Sequence, residues 1–211
     1  MTSNSIATLF RITIVSTALA GCTAPKPGPE LAQAQYATCE PCHGANAEGS
    51  DLVGAPALAG QATWYLSAQL TKFKTGVRGA HPRDVEGLKM RPMSMSLKTE
   101  DIEAMAQYLS GLPVPKPKRT QKGDYGIGNA LYRTCAACHG KEGLGNEGLK
   151  APALVGLNDW YMISQLGKFK SGVRGANPKD VTGAMMVPMA MTLSDDKAIH
   201  DVVAHIMTLN E

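Results

Sequence analysis

The sequence predicts an all-α protein built from two tandem copies of one small domain. Three observations carry this expectation. Shifted by 96 residues, the chain matches itself: 33 of the 62 positions in 36–97 are identical to those in 132–193. Apolar residues recur at helical spacing in each copy, and almost nothing alternates with the period of a strand. Between the copies, residues 111–123 (GLPVPKPKRTQKG) hold three prolines and four Lys/Arg, which suits a semi-extended connector and no packed element.

The N-terminus comes first in order. Arg11 precedes ITIVSTALAGC, an apolar stretch ending in small residues and too short to span a bilayer as a mature helix. Its last four residues, LAGC, resemble the lipobox of bacterial lipoproteins. The resemblance implies cleavage before Cys22, lipidation of that cysteine and export from the cytoplasm. Residues 1–21 are then a signal peptide and 22–30 a Pro-rich tether. The two domains are expected at 31–111 and 123–211, with 112–122 as the linker.

Each copy then reads as three helices. The first ends in YATCEPCHG (36–44) or YRTCAACHG (132–140), and Gly44 or Gly140 stops it. A loop of Gly and small residues follows, with APAL repeated at Ala55 and Ala151. A middle helix is expected from about Trp64 to Gly76 and from about Trp160 to Gly172. A methionine-rich stretch comes next. The last helix begins near Thr99 or Ser194, both suitable N-caps. Its apolar positions, Ile102, Met105, Ala106 and Leu109 or Ile199, Val202, Val203 and Ile206, each lie on one face.

Composition narrows the function classes. The net charge of +3 comes with no dense run of Lys/Arg and no aromatic residues interleaved with basic ones, so a nucleic-acid partner is not expected. Three Phe and two Trp are few for the core of a chain of 211 residues. Domains of about 85 residues are also marginal on apolar burial alone. A large planar apolar cofactor would fill that deficit.

The cysteines say which. With Cys22 assigned to the lipid, the other four form two C-x-x-C pairs, each followed at once by His. Residues three and four apart share a helix face, so Cys39, Cys42 and His43 point the same way, as do Cys135, Cys138 and His139. Two thiols one turn apart can each bond a vinyl group of a porphyrin, with the next residue aimed at its centre. This is the c-type haem attachment pattern. A zinc site would need further ligands, and His81, His200 and His205 have no counterparts across the repeat; they read as exposed surface histidines. A thioredoxin-like motif would need a βαβ setting, which is not visible.

Haem iron in electron carriers is commonly held by His and Met. Candidate methionines are Met90, Met93 and Met95, and Met185, Met186, Met189 and Met191. Met185 faces Lys89 across the repeat and is the poorest of them.

At this point the chain resembles the dihaem cytochromes c4, and each copy resembles a class I cytochrome c. The resemblance rests on the two C-x-x-C-H motifs, the Pro-rich join and MRPMSMSLKTEDIEAMAQYL, and covers nearly everything after Leu31. It implies that the ligand methionine lies seven residues before the Leu preceding the last helix, which selects Met90 and Met186. It also implies that the carbonyls of Pro56 and Pro152 accept the Nδ1–H of the axial histidines. Arg78 and Arg174 are candidates to meet haem propionates, the alternative being solvated arginines, while the repeated Trp64-Tyr65 and Trp160-Tyr161 pairs read rather as core of the middle helix. Two propionates per haem add about four negative charges in all.

A His/Met iron has no open position, so the resemblance implies two haem c groups and one-electron transfer with no small-molecule substrate and no catalysis. The expected role is a periplasmic carrier, anchored to a membrane by lipid, between a quinol–cytochrome c reductase and a terminal oxidase. The alternative is a haem subunit that accepts electrons from a dehydrogenase, such as a flavin-dependent sulfide dehydrogenase. A dihaem peroxidase would need a displaceable ligand, against which the paired methionine clusters argue.

Overall fold

The computed structural model describes residues 28–209. Cys22 and the signal segment lie outside the described residues. Within them the regular elements are helices joined by loops, with single bridges pairing Ser50 with Ala55 and Asn146 with Ala151.

In the first copy, α1 (Pro29–Tyr36) and the short α2 (Glu40–His43) replace the expected continuous helix. The second copy has that continuous helix, α6 (Tyr125–His139). Pro41 explains the difference. It has no N–H to give to the carbonyl of Ala37, and its ring crowds that carbonyl, so the helix breaks at 37–39 and restarts at Glu40. Ala137 stands at its place in the second copy.

The middle helices, α3 (Thr63–Lys74) and α7 (Asp159–Lys170), run close to expectation. The last helices are α5 (Thr99–Ser110) and α9 (Asp196–Thr208). Their starts differ slightly from the expected caps. Lys98 caps α5, its backbone N–H donating to Asp101 Oδ2 at 3.1 Å. Asp195, one residue after Ser194, caps α9 by accepting from the Ala198 N–H. The expected apolar faces of both helices are buried.

The methionine-rich stretches are themselves helices, α4 (Val85–Met95) and α8 (Val181–Met191), which periodicity did not reveal. Each contains a proline that deletes one backbone bond, Pro92 or Pro188, and both prolines are exposed. What starts these helices is an aspartate cap. Asp84 accepts from the Gly87 N–H at 3.3 Å and Asp180 from the Gly183 N–H at 3.0 Å.

The second core centres on the crossing of α6 and α9, with Tyr132, Val202, Val203 and Ile206 buried. A methyl at Gly128 would stand 1.9 Å from the Asp201 carbonyl oxygen, so the two backbones meet there with no room for a side chain. In the first core, α1 crosses α5 less tightly. The counterpart of Gly128 is Ala32, whose methyl is fully buried.

The copies are locked together reciprocally. Lys72 of α3 reaches Asp180, the cap of α8, at 2.6 Å; Lys168 of α7 reaches Asp84, the cap of α4, at 2.7 Å and Glu86 at 2.5 Å. Both aspartates are almost fully buried. Between these pairs lies a polar cluster. Arg78 donates to Gln69 Oε1 and Gln165 Oε1, both at 2.9 Å, and Arg174 donates to the same two oxygens at 3.1 and 2.8 Å. The guanidinium groups also stack on Phe73 and Phe169.

The connector is extended, as its prolines require, but it is docked rather than loose. A methyl at Gly60 or at Gly156 would run into Val114, so this one residue fills a gap between the two loops. Buried Asp159 accepts from the backbone N–H groups of Thr120 and Gln121 at 2.5 and 2.7 Å.

Candidate haem-binding sites

The short α2 with its cap residue Cys39, and the last turn of α6, present the two sulfurs and the imidazole of each motif. Cys39, Cys42, Cys135 and Cys138 are free thiols, none of them fully buried. Burial pushes the Cys39 and Cys135 thiols above their ordinary value. Each motif is anchored by the tyrosine that opens it. Tyr36 donates its O–H to the Gly44 carbonyl at 2.6 Å, and Tyr132 to that of Gly140 at 2.8 Å. Burial raises both phenols, Tyr132 to about 12, so both stay protonated donors.

The tyrosine ring is backed in turn by the last helix. Tyr108 lies 5.8 Å from the Tyr36 ring, and His205 lies 5.2 Å from the Tyr132 ring. His205 is therefore half-buried packing in place of a tyrosine. This corrects its reading as an exposed surface histidine, and burial lowers its basicity.

Both histidines of the motifs are buried. His43 Nδ1 lies 2.8 Å from the Pro56 carbonyl, and His139 Nδ1 lies 2.8 Å from that of Pro152. A carbonyl only accepts, so each Nδ1 carries the proton and each Nε2 keeps its lone pair. Burial lowers the basicity of both rings, opposed by the proline carbonyls, which leaves neutral imidazoles. His43 Nε2 is buried and has no hydrogen-bond partner. A buried nitrogen lone pair suits an iron ligand, and the two thiols beside it suit attachment to porphyrin vinyl groups, so the residues fit a thioether-linked haem.

The loop after each motif holds the acceptor in place. Gly49 and Gly145 have φ of +87° and +82°, a backbone conformation that glycine adopts without steric cost. A side chain at Gly49 would strike the Pro56–Ala57 peptide, and one at Gly145 the Pro152–Ala153 peptide.

Among the clustered methionines, Met90 and Met186 are half-buried. Met93, Met95, Met185, Met189 and Met191 are 39–63 % exposed. Gly87, Met90 and Ser94 lie along one face of α4, and Gly183, Met186 and Ala190 along one face of α8; the glycines, Ser94 and Ala190 are buried.

Arg78 and Arg174 are buried at the interface, bound to Gln69 and Gln165 as described. Arg78 also reaches Tyr161 Oη at 3.3 Å, and the charge of Arg174 acts on Tyr65. Burial would raise the Tyr161 phenol, but the two guanidinium charges outweigh it and bring it down to about 8; the Tyr65 phenol is raised, chiefly by burial. The Nε of each arginine is buried without a partner. Trp64 and Trp160 are half-buried and stack edge-on against Tyr65 and Tyr161.

Sequence reasoning missed the interdomain residues, namely Lys72, Lys168, Gln69, Gln165 and Asn158. The first four recur across the repeat, and that recurrence was the available signal. Asn158 has none, because its counterpart is Ala62.

Comparison with known proteins agrees with this geometry. The cytochrome c family profile matches residues 27–113 and again 126–210. The chain is 32 % identical over 170 residues to a thiosulfate dehydrogenase electron acceptor of Stutzerimonas stutzeri, covering 75 % of this chain and 73 % of that one. It is also 32 % identical over 164 residues to a cytochrome c4 of Stutzerimonas stutzeri, covering 69 % and 73 %. The crystal structure of reduced recombinant cytochrome c4 from Pseudomonas stutzeri superposes with a TM-score of 0.67 at 28 % identity, covering 85 % of this chain and 97 % of that one. The chain belongs to the cytochrome c family, as a tandem pair of the cytochrome c4 kind: a dihaem c-type electron carrier rather than an enzyme.

Proposed function

We propose that this two-domain cytochrome c is an exported relay that accepts single electrons from a periplasmic dehydrogenase of sulfur oxyanions and passes them on towards a terminal oxidase. A bound haem c supplies one-electron redox chemistry. The chain's part is to hold each haem so that oxidation and reduction need little rearrangement.

In this reading Cys39 and Cys42 hold one haem through thioether bonds, and Cys135 and Cys138 the other. His43 and His139 would hold the iron through Nε2, kept in the right tautomer by Pro56 and Pro152. Met90 and Met186 would supply the thioether sulfurs that complete the two sites. They are the least exposed members of their clusters, and α4 packs on α3 as α8 packs on α7. Arg78 and Arg174, each with a buried Nε–H that has no partner, are the donors for propionates. The domains are assigned to 31–111 and 123–211.

One observation carries the relay reading. Two equivalent histidine pockets sit in a single body whose halves are locked by reciprocal buried ion pairs. Such a body fixes the separation of its two cofactors. The dehydrogenase as donor is supported by the relative from Stutzerimonas stutzeri, a thiosulfate dehydrogenase electron acceptor. Export and a lipid anchor at Cys22 complete the proposal; no helix among the described residues is long and apolar enough to cross a membrane.

The test mixes oxidised holoprotein with thiosulfate dehydrogenase and thiosulfate, or with quinol and a quinol–cytochrome c reductase, and follows reduction at the haem bands. Rapid reduction of two haems per chain by the first mixture is expected. Reduction by the second alone would replace the dehydrogenase with the reductase as donor. Mass spectrometry of the membrane fraction checks for diacylglycerol on Cys22.

A further inference from the structure

We propose that Asn158 of the second domain tunes the haem of the first, by polarising the peptide group that accepts the His43 hydrogen bond. The proposal rests on the reading of His43 as an iron ligand with Pro56 as its acceptor.

The chain of contacts is short. His43 Nδ1–H donates to the Pro56 carbonyl at 2.8 Å. The N–H of that same peptide belongs to Ala57, and it donates to Asn158 Oδ1 at 2.8 Å. Ala57 is 3 % exposed, so bulk water does not compete for its N–H. Asn158 also donates from Nδ2 to the Glu48 carbonyl at 3.3 Å, which grips the histidine loop at a second point. Gly49 makes room for this, since a methyl there would stand 2.8 Å from Asn158 Oδ1.

When an amide N–H is accepted by another group, electron density moves onto the carbonyl oxygen of the same peptide. Successive hydrogen bonds strengthen one another in this way. The Pro56 oxygen becomes a better acceptor, Nδ1–H is held more tightly, and the imidazole becomes a stronger donor through Nε2. A stronger donor favours ferric over ferrous iron and lowers the potential.

The arrangement is one-sided. The equivalent peptide in the second domain is Pro152–Ala153, and the residue matching Asn158 is Ala62, whose methyl accepts nothing. The first domain sends Gln61 across instead. Its Nε2 faces the carbonyls of Ala153 and Val155 at 3.4 and 3.5 Å, so it donates, and to other peptides. Two nearly identical sites are thus made unequal by one side chain, which gives a transferred electron a preferred direction.

The experiment is a spectroelectrochemical titration of holoprotein carrying Asn158→Ala or Asn158→Asp, with the haems assigned by the hyperfine-shifted NMR signals of each domain. Asn158→Ala is expected to raise the midpoint of the first-domain haem by about a twofold change in the oxidised-to-reduced ratio at fixed potential, about 18 mV. The second haem stays in place. Solvent exchange of the His43 Nδ1 proton quickens. Asn158→Asp keeps the acceptor but loses the donor to Glu48, so its first haem does not rise. The proposal fails if Asn158→Ala moves both midpoints equally or neither, or if Asn158→Asp raises the first as Asn158→Ala does. Error in the ligand assignment would show separately: His43→Gly would leave both low-spin haem spectra intact.

Discussion

Replacing Lys168 with Met removes a cation from a carboxylate that has nowhere else to turn. Asp84 has a side chain 4 % exposed and lies 2.7 Å from Lys168 Nζ. Its remaining partner is the Gly87 N–H at 3.3 Å. Burial alone would raise the Asp84 carboxyl, but the hydrogen bond and charge of Lys168 outweigh it and hold it below its ordinary value. Losing one partner of a buried pair costs about 3–5 kcal/mol. Glu86, 42 % exposed, adds little. The lower end, about 3 kcal/mol, applies because the cap bond survives. For a chain of this size that is about 6–12 °C in Tm.

The sign with pH follows from the depressed carboxyl. Its stabilisation is present above the unfolded value of about 3.9 and is lost as pH falls through the lower folded value. In Lys168→Met the burial penalty is relieved once Asp84 protonates. The gap between wild type and variant should be full at pH 7 and shrink as pH falls to 4 and below. Thermal unfolding of holoprotein, followed by circular dichroism across this range, measures it. A gap under about 1 kcal/mol at pH 7, or one independent of pH, would refute the view that the interface pair is buried and mutually dependent.

Three further outcomes are expected. Met90→Ala should remove half of the sulfur-to-iron absorbance of the oxidised protein and open one haem to cyanide, whereas Met93→Ala should leave both features unchanged. Gly128→Ala should destabilise the second domain by about 1–3 kcal/mol through the clash with Asp201, measured by denaturant unfolding of holoprotein. Arg78→Met strands the Oε1 atoms of Gln69 and Gln165 with one donor fewer and should cost about 1–3 kcal/mol by the same measurement; stability unchanged within about 0.5 kcal/mol would contradict the buried cluster.

Much of the site was legible because its chemistry is local. Cys39, Cys42 and His43 lie within one helical turn, and their spacing alone states what they can bind. The repeat supplied the second copy, and the faces of α5 and α9 followed from period. Helices α4 and α8 were hidden because each carries an internal proline, which reads as a helix breaker, although Asp84 and Asp180 were available as cap signals. Pro41 looked harmless in a motif whose twin carries Ala137, yet it splits the first helix in two.

The residues that hold the domains together could not be read in this way. Lys168 and Asp84 are 84 positions apart, and Asn158 and Ala57 are 101 apart. No period or spacing relates them, since what joins them is the folding of two separate cores onto each other. The spacing of the two thiols and the imidazole is decided within one helical turn, so residue order determines it. Burial of Asp84, the pairing of Arg78 with Arg174 and the inequality of the two histidine loops depend on which surfaces exclude water together. Only the assembled tertiary structure decides that.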